Sequence, residues 1–384
     1  MFMRFHPRAV APTLAGSMHR SESNGSALAL VVLLGACSGA GLDEIVFPEE
    51  PLGINGAIGS RAIVYGTGRS DLWAPVPGKL PNGDNDPAGN HVLHYDGSRV
   101  SSMPLPSEIL ALPGGTAAAW AAGAAGELWM AGPTGGAAPH RMVVVSQNAD
   151  GTIVDHSSQI PALPSLDNVS LRSGDGVVVL FVGGIWVRFA SGAVEVLPAA
   201  PAGSFPQPVA VRGGKIYATS NPSSAPQGWL QFDGSTWSDI SLPGTPGPIG
   251  FSFFGDDDGW AFGTNHGRNT DNTYPLYRFD GSWSTQTIII DGQNNWTPSA
   301  VLATGRGTFA VISTTPDGDA TSIVYRTGTT GDLSSDETLG SVDNVVAGLA
   351  FLGELDDGTF LMSSGRGGPQ LPTRVFAGSR GDLK

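Results

Sequence analysis

One short pattern recurs along the chain, and this repeat restricts the available folds more than any other feature. Each copy starts with a turn and a short apolar strand, as in residues 71–74 (DLWA) and 258–261 (DGWA). After a loop, another strand follows and ends in an Asp-Gly turn, as in residues 93–97 (LHYDG). Asp-Gly between alternating apolar residues indicates a hairpin, because the turn needs a positive φ. We identify seven copies, some of them degenerate.

The repeat predicts a β-propeller. Units of about 40 to 50 residues with four strands each are typical of propeller blades. The 55 glycines and 29 prolines supply the many turns that such a fold needs. We therefore predict an all-β chain that forms a seven-bladed β-propeller of four-stranded antiparallel blades, with six or eight blades as the alternatives. The large side chains of the apolar strand that begins each copy of the pattern are expected to fill the space between blades. They are Trp73, Trp129, Tyr217, Trp260, Phe309 and Phe360.

The two ends of the repeat region complement each other. The last unit runs out after residues 373–376 and lacks a closing strand. Residues 42–48 (LDEIVFP) look like a closing strand with no unit before it. We expect this N-terminal strand to complete the last blade, so that the propeller domain spans residues 42–384 and leaves no unpaired edge at the junction.

The start of the chain predicts export. An apolar run of about ten residues, too short for the roughly 20 that span a membrane, follows Arg20 and precedes the single cysteine, Cys37. A basic segment before a short apolar run is typical of a signal peptide. Met18 is an alternative start, since it begins a compact basic segment. We predict a signal peptide over residues 1–36 and a short tether over residues 37–41.

The residues around the cysteine resemble a bacterial lipobox. Leu34, Gly35 and Ala36 precede Cys37, and Ser38 follows it. In lipoproteins of this type the thiol receives diacylglycerol, and cleavage leaves the cysteine as the acylated N-terminus. The resemblance implies a lipid anchor at Cys37. Serine rather than aspartate after the cysteine implies the outer membrane of a Gram-negative cell envelope. The alternative is an ordinary buried cysteine.

Taken together, these features resemble bacterial outer-membrane-type lipoproteins whose propellers carry D-x-W-A and Y-D-G-x-x-W repeats, loosely related to kelch and neuraminidase-type repeats. Residues 71–74, 230–237 (LQFDGSTW) and 277–283 (YRFDGSW) carry the resemblance. It covers nearly all of residues 42–384. It implies a fold more specifically than a function, because propellers serve many functions.

Charge limits the choice of partner. The net charge is −14, which repels nucleic acid and anionic lipid. Membrane contact is therefore expected through acyl chains alone. We expect a binding or scaffold protein without catalysis, whose protein or glycan partner contacts the loops between the second and third strands. Variable loops on a rigid scaffold commonly carry recognition.

Two other functional classes stay open. A sialidase-like glycan hydrolase or lyase would place arginines and carboxylates at the mouth of the channel. Arg172, Arg212 and Arg306 are available, but nothing in the sequence brings them together, and residues 232–237 (FDGSTW) lack the spacing of a sialidase Asp box. No H-E-x-x-H, G-x-S-x-G or phosphate-loop motif occurs. A purely structural role is the remaining alternative.

One segment suggests a metal ion. Asn82, Asp84 and Asp86 place oxygen ligands at alternating positions, as calcium loops do, but the downstream glutamate of an EF-hand is missing. We expect no cofactor. If the protein does bind Ca²⁺, this segment is the candidate site. His91 and His94 are three residues apart on a strand, so they face opposite sides and are not expected to share an ion.

Overall fold

The computed structural model describes a set of segments that all lie within the unit Leu33–Lys384. They are residues 42–47, 64–80, 84, 86–136, 139–201, 207–220, 228–240, 248–256, 258–263, 273–289, 298–317, 320–329, 332–335, 337–343, 349–364 and 373–383. The predicted signal peptide and tether, with Cys37 and the lipobox residues Leu34, Gly35 and Ala36, lie outside the described residues and stay predictions. Among the described residues, no helix has the length and apolarity that crossing a membrane requires.

Strands make up most of the described chain. One short helix, α1 (Ser107–Leu110), and a few single 3-10 turns interrupt them. The strands are β1 (Leu42–Phe47), β2 (Tyr65–Gly68), β3 (Asp71–Val76), β4 (His91–Tyr95), β5 (Val100–Pro104), β6 (Ala119–Ala122), β7 (Glu127–Pro133), β8 (Met142–Asn148), β9 (Ile153–Asp155), β10 (Ser170–Gly174), β11 (Val177–Val182), β12 (Ile185–Ala190), β13 (Ala193–Val196), β14 (Gln207–Arg212), β15 (Lys215–Ser220), β16 (Gly228–Phe232), β17 (Trp237–Asp239), β18 (Pro248–Gly255), β19 (Asp258–Gly263), β20 (Thr273–Phe279), β21 (Trp283–Ile289), β22 (Pro298–Gly305), β23 (Thr308–Asp317), β24 (Ala320–Thr329), β25 (Asp332–Leu333), β26 (Glu337–Asp343), β27 (Leu349–Glu354), β28 (Thr359–Ser364) and β29 (Thr373–Ser379).

These strands form seven antiparallel sheets, so the predicted seven-bladed propeller is confirmed. Blades 1 to 5 each take four consecutive strands, starting with β2, β6, β10, β14 and β18. Blade 6 runs from β22 to β25, and β26 also pairs with β24. Blade 7 has the order β27-β28-β29-β1. The first strands of successive blades contact one another, so they surround the central channel.

The N-terminal strand closes the ring as predicted. β1 pairs antiparallel with β29 over its whole length, from Leu42 opposite Gly378 to Phe47 opposite Thr373. Ile45 and Phe47 are buried against blade 1. The outermost strand of the last blade therefore comes from the opposite end of the sequence. β1 covers the edge that β29 would otherwise present and becomes the outermost strand of blade 7.

Large apolar side chains fill the gaps between blades. The described residues form seven clusters of buried side chains, one between each pair of neighbouring blades, including blades 7 and 1. The six side chains assigned to the core from the sequence are all buried within these clusters. They are Trp73, Trp129, Tyr217, Trp260, Phe309 and Phe360.

The ring has two distinct faces because consecutive antiparallel strands turn at alternate ends. The turn face carries the turns between first and second strands and between third and fourth strands. Its Asp-Gly turns have the expected positive φ, as at Gly97 (88°) and Gly234 (102°). The opposite loop face carries the connections between second and third strands. These connections are not all loops: in blade 6 the strand β23 continues to Asp317, because β23 and β24 form a long hairpin rich in β-branched residues.

Candidate functional site

The aspartate of the repeated motif links one blade to the next. The Asp71 carboxylate accepts hydrogen bonds from Trp73 Nε1 (3.0 Å) and Thr67 Oγ1 (2.7 Å), and His94 Nε2 lies 2.9 Å from its Oδ1. The Gly126 amide of the following blade donates to its Oδ2 (3.0 Å). The His94 ring stacks on Trp73 with 4.0 Å between centroids. We call this arrangement the blade clamp.

The blade clamp recurs in blade 5, where an arginine takes the place of the histidine. The Asp258 carboxylate accepts from Arg278 Nη2 (2.9 Å) and from the Gly307 amide of the next blade (3.0 Å). The Arg278 guanidinium lies 5.1 Å from the centre of the Trp260 ring. Arg278 stands opposite Trp260 on the neighbouring strand, as His94 stands opposite Trp73. Asp258 is buried, because this pairing needs its carboxylate between the blades.

Acid is expected to weaken the blade clamp of blade 1. Burial alone would raise the pKa of Asp71, but the hydrogen bonds from His94, Thr67 and Gly126 together lower it. A carboxyl whose pKa is lower in the folded chain stabilises it fully above the ordinary value near 4, and loses this contribution as the pH falls through the folded value. We expect Asp71→Asn to flatten the dependence of the unfolding midpoint on pH below about 4. Urea unfolding at several pH values measures this dependence. Parallel plots of unfolding midpoint against pH for Asp71→Asn and the unmodified chain would contradict the expectation.

A second polar network occupies the turn-face end of the central channel. Ser252 Oγ accepts from the Ala303 amide (2.8 Å) and donates to the Glu354 carboxylate. Arg380 Nη1 donates to the backbone oxygens of Phe253 (3.0 Å) and Ala303 (2.9 Å), and Nη2 lies 3.1 Å from Glu354 Oε1. These contacts join blades 5, 6 and 7.

Burial shapes the acidity of this network. Desolvation raises the pKa of Glu354, against the opposing effects of Arg380, Ser252 and Arg212. The Glu354 side chain is only 6% exposed. A carboxylate held in this way is costly to leave unpaired, so the network acts first as a structural cross-link.

An ion pair spans the channel at the same end. Arg212 of blade 4 pairs with Asp356 of blade 7 through Nη1 and Oδ1. Asp356 Oδ2 also accepts from the Asp175 amide of blade 3 (3.2 Å). The Gly213 amide of blade 4 donates to Asp175 Oδ2 (2.6 Å). Blades 3 and 4 are thus tied to blade 7 on the far side of the ring, and the pair forms a floor across this end of the channel.

The three arginines considered for an enzyme site have separate environments. Arg212 belongs to the floor, and Arg306 is exposed in the turn between β22 and β23. Arg172 lies on the first strand of blade 3, and its charge interacts with Tyr65 on the first strand of blade 1. Sequence reasoning missed Glu354 and Tyr65. The available signal for Glu354 was a charged residue at the last position of a first strand, a position that Arg212 also occupies.

The suggested calcium residues are only partly described. Asp86 Oδ1 accepts from the Ala88 amide (3.1 Å) as the N-cap of a 3-10 turn. Asp84 contributes its backbone oxygen to a hydrogen bond from Leu80 (2.8 Å). Asn82 lies outside the described residues, so the calcium site stays a prediction. Within the described ranges, no three His, Cys, Asp or Glu side chains are grouped as metal ligands would be.

Comparison with protein-family models finds no match, and comparison with curated proteins finds none either. Solved structures do match. The chain is similar to a streptogramin B lyase structure at 12% identity and a TM-score of 0.50, over 87% of this chain and 96% of that one. It is similar to YCF48 bound to a D1 peptide at 12% identity and a TM-score of 0.49, over 92% of this chain and 99% of that one. It is similar to an ulvan lyase of polysaccharide lyase family PL25 at 11% identity and a TM-score of 0.47, over 86% of this chain and 95% of that one. At such low identity, the likeness to the streptogramin B lyase structure shows a shared β-propeller fold and nothing finer.

Proposed function

We propose that the protein is a lipid-anchored propeller of the cell envelope that binds a protein or glycan partner through its loop face, without catalysing a reaction. One observation carries the binding part of this proposal. The described charged side chains at the turn-face end of the channel pair mainly with one another across blades. Their charges therefore stiffen the ring, and a stiff ring suits a scaffold that presents recognition loops.

The anchor rests on the segment around Cys37, whose thiol is the only one in the chain. Cys37→Ala is expected to move the protein from the membrane fraction to the soluble fraction of a Gram-negative host, because no basic surface replaces the acyl chains. Fractionation with immunoblotting measures this, and mass spectrometry of the N-terminal peptide detects the diacylglycerol. A variant that starts at Met18 serves as a control and should fractionate like the full chain. Full recovery of Cys37→Ala in the membrane fraction would contradict the anchor.

Partner binding is tested with the acylated protein immobilised in detergent. Envelope proteins of the native host and an array of purified glycans are presented in parallel. The proposal expects saturable binding to one of the two classes. Binding should survive substitutions on the turn face, such as Asp280→Ala, because the partner contacts the opposite face. Absence of saturable binding to both classes would contradict the proposal.

A glycan hydrolase or lyase is the second candidate. The convergence of Arg212, Arg380, Glu354 and Asp356 at one end of the channel favours it, since arginines and carboxylates at a channel mouth can bind and cleave acidic glycans. The same glycans distinguish the two functions. Release of new reducing ends that Glu354→Gln abolishes would support the enzyme, whereas binding without product release supports the scaffold.

A further inference from the structure

Among the charged residues of the described first strands, Arg172 is the one that the networks described above do not use. It lies on β10, among the first strands that surround the channel, and solvent reaches it. Its Nη1 donates to the backbone oxygen of Leu171 (2.9 Å). In the described part of the chain, no carboxylate forms an ion pair with it. In a protein with a net charge of −14, a guanidinium with most of its donors available stands out.

The strand places Arg172 just above the channel floor. Gly174, two residues further along, abuts blade 4 so closely that a Cβ there would lie 2.9 Å from Arg212 Nη1. Alternate residues of a strand share a face, and two residues advance about 6.6 Å. Arg172 therefore lies on the strand face that abuts blade 4, one step above the Arg212–Asp356 pair. Ser170 lies one step higher on that face and is partly exposed.

Tyr65 adds a second polar group within electrostatic range. It lies on the first strand of blade 1, two blades away from Arg172. Burial raises the pKa of the Tyr65 phenol and lowers the pKa of the Arg172 guanidinium, although solvent reaches both side chains. The phenol is thereby kept neutral and able to donate a hydrogen bond.

We propose that the channel above the Arg212–Asp356 floor is a binding site for a sugar acid, with the Arg172 guanidinium holding the carboxylate. The planar guanidinium matches a carboxylate in two parallel hydrogen bonds. The Tyr65 phenol and the Ser170 hydroxyl suit the hydroxyl groups of a sugar ring. The Arg212–Asp356 pair crosses one end of the channel, and the first strands surround it. Such a site fits a small ligand or the end of a glycan, whereas a folded protein is too large for it. This channel site is separate from the loop face, so the inference goes beyond the proposed function.

Calorimetry on the purified full chain tests the site with galacturonate as the probe and galactose as its uncharged control. We expect saturable binding of galacturonate that weakens with added salt, and at least tenfold weaker binding of galactose. Arg172→Gln should lower the galacturonate affinity at least tenfold, Arg172→Lys should lower it less, and Tyr65→Phe should lower it several-fold. Arg99→Gln, in an exposed turn where Arg99 pairs with Asp96, serves as the matched control and should bind like the unmodified chain.

Three results would overturn the proposal: no binding of galacturonate, equal affinity in Arg172→Gln, or binding of inorganic phosphate as tight as that of galacturonate. An unchanged melting temperature of Arg172→Gln shows that a loss of affinity does not come from unfolding. Failure here is separable from failure of the proposed function. Partner binding at the loop face is measured with different ligands and is expected to survive Arg172→Gln.

Discussion

Deletion of residues 42–47 is expected to open the ring and to cause the largest loss of stability of any change considered. The deletion removes the outer strand of blade 7 and exposes the edge of β29, which pairs with β1 over six residues. It also removes Ile45 and Phe47 from the cluster between blades 7 and 1. Folding free energies of domains are commonly about 5–15 kcal/mol, so a loss on this scale leaves a marginal or aggregating protein.

A point substitution measures the same closure without changing the backbone. Phe47 is fully buried, and Phe47→Ala is expected to cost about 3–5 kcal/mol through lost burial and the cavity left behind. Asp43→Ala on the same strand is the matched control. Asp43 pairs with Arg69 at 2.6 Å, but both side chains are about half exposed, so the expected cost is at most about 1 kcal/mol. Chemical unfolding of the three variants measures these losses against the unmodified chain. A deletion variant with the same unfolding midpoint as the unmodified chain would show that β1 does not close the ring.

Asp71→Ala is expected to produce the second largest loss, about 3–5 kcal/mol. The substitution leaves the Trp73 indole N–H, the Gly126 amide and the His94 imidazole without their shared partner in the interior of the propeller. Removing one partner of a buried charged network costs more than the network contributes, because the remaining groups stay desolvated. The loss should appear in urea unfolding as a lower midpoint.

Two further variants make this expectation specific. Asp258→Ala removes the equivalent carboxylate of blade 5 and should cost a similar amount, since Arg278 and the Gly307 amide lose their acceptor. Asp280→Ala changes an exposed turn aspartate of the same blade and should stay within about 0.5 kcal/mol. A loss for Asp280→Ala as large as that for Asp71→Ala would show that any aspartate on the turn face matters, and would refute the blade clamp.

The repeat made the architecture predictable. Alternation of apolar residues and Asp-Gly turns are local signals, so the recurring strands and their turns with positive φ could be inferred from a few neighbouring residues. The core residues followed from the same repeat, because the equivalent position of each blade faces a neighbouring sheet. Closure by β1 was predictable from an incomplete last unit and a strand without a unit at the start. The length of the β23–β24 hairpin was not, since its threonine-rich segment resembles both loop and strand.

By itself, the sequence determined the class of fold, the number of blades, the closing strand and the identity of the large core side chains. Only the tertiary structure decided what the charged residues do. The Arg212–Asp356 pair joins residues 144 positions apart, and Ser252 meets Glu354 across 102 positions. Such partners carry no local pattern, because the ring sets which strand ends face each other across the channel. The exposure of Arg172 beside this floor follows from the same geometry.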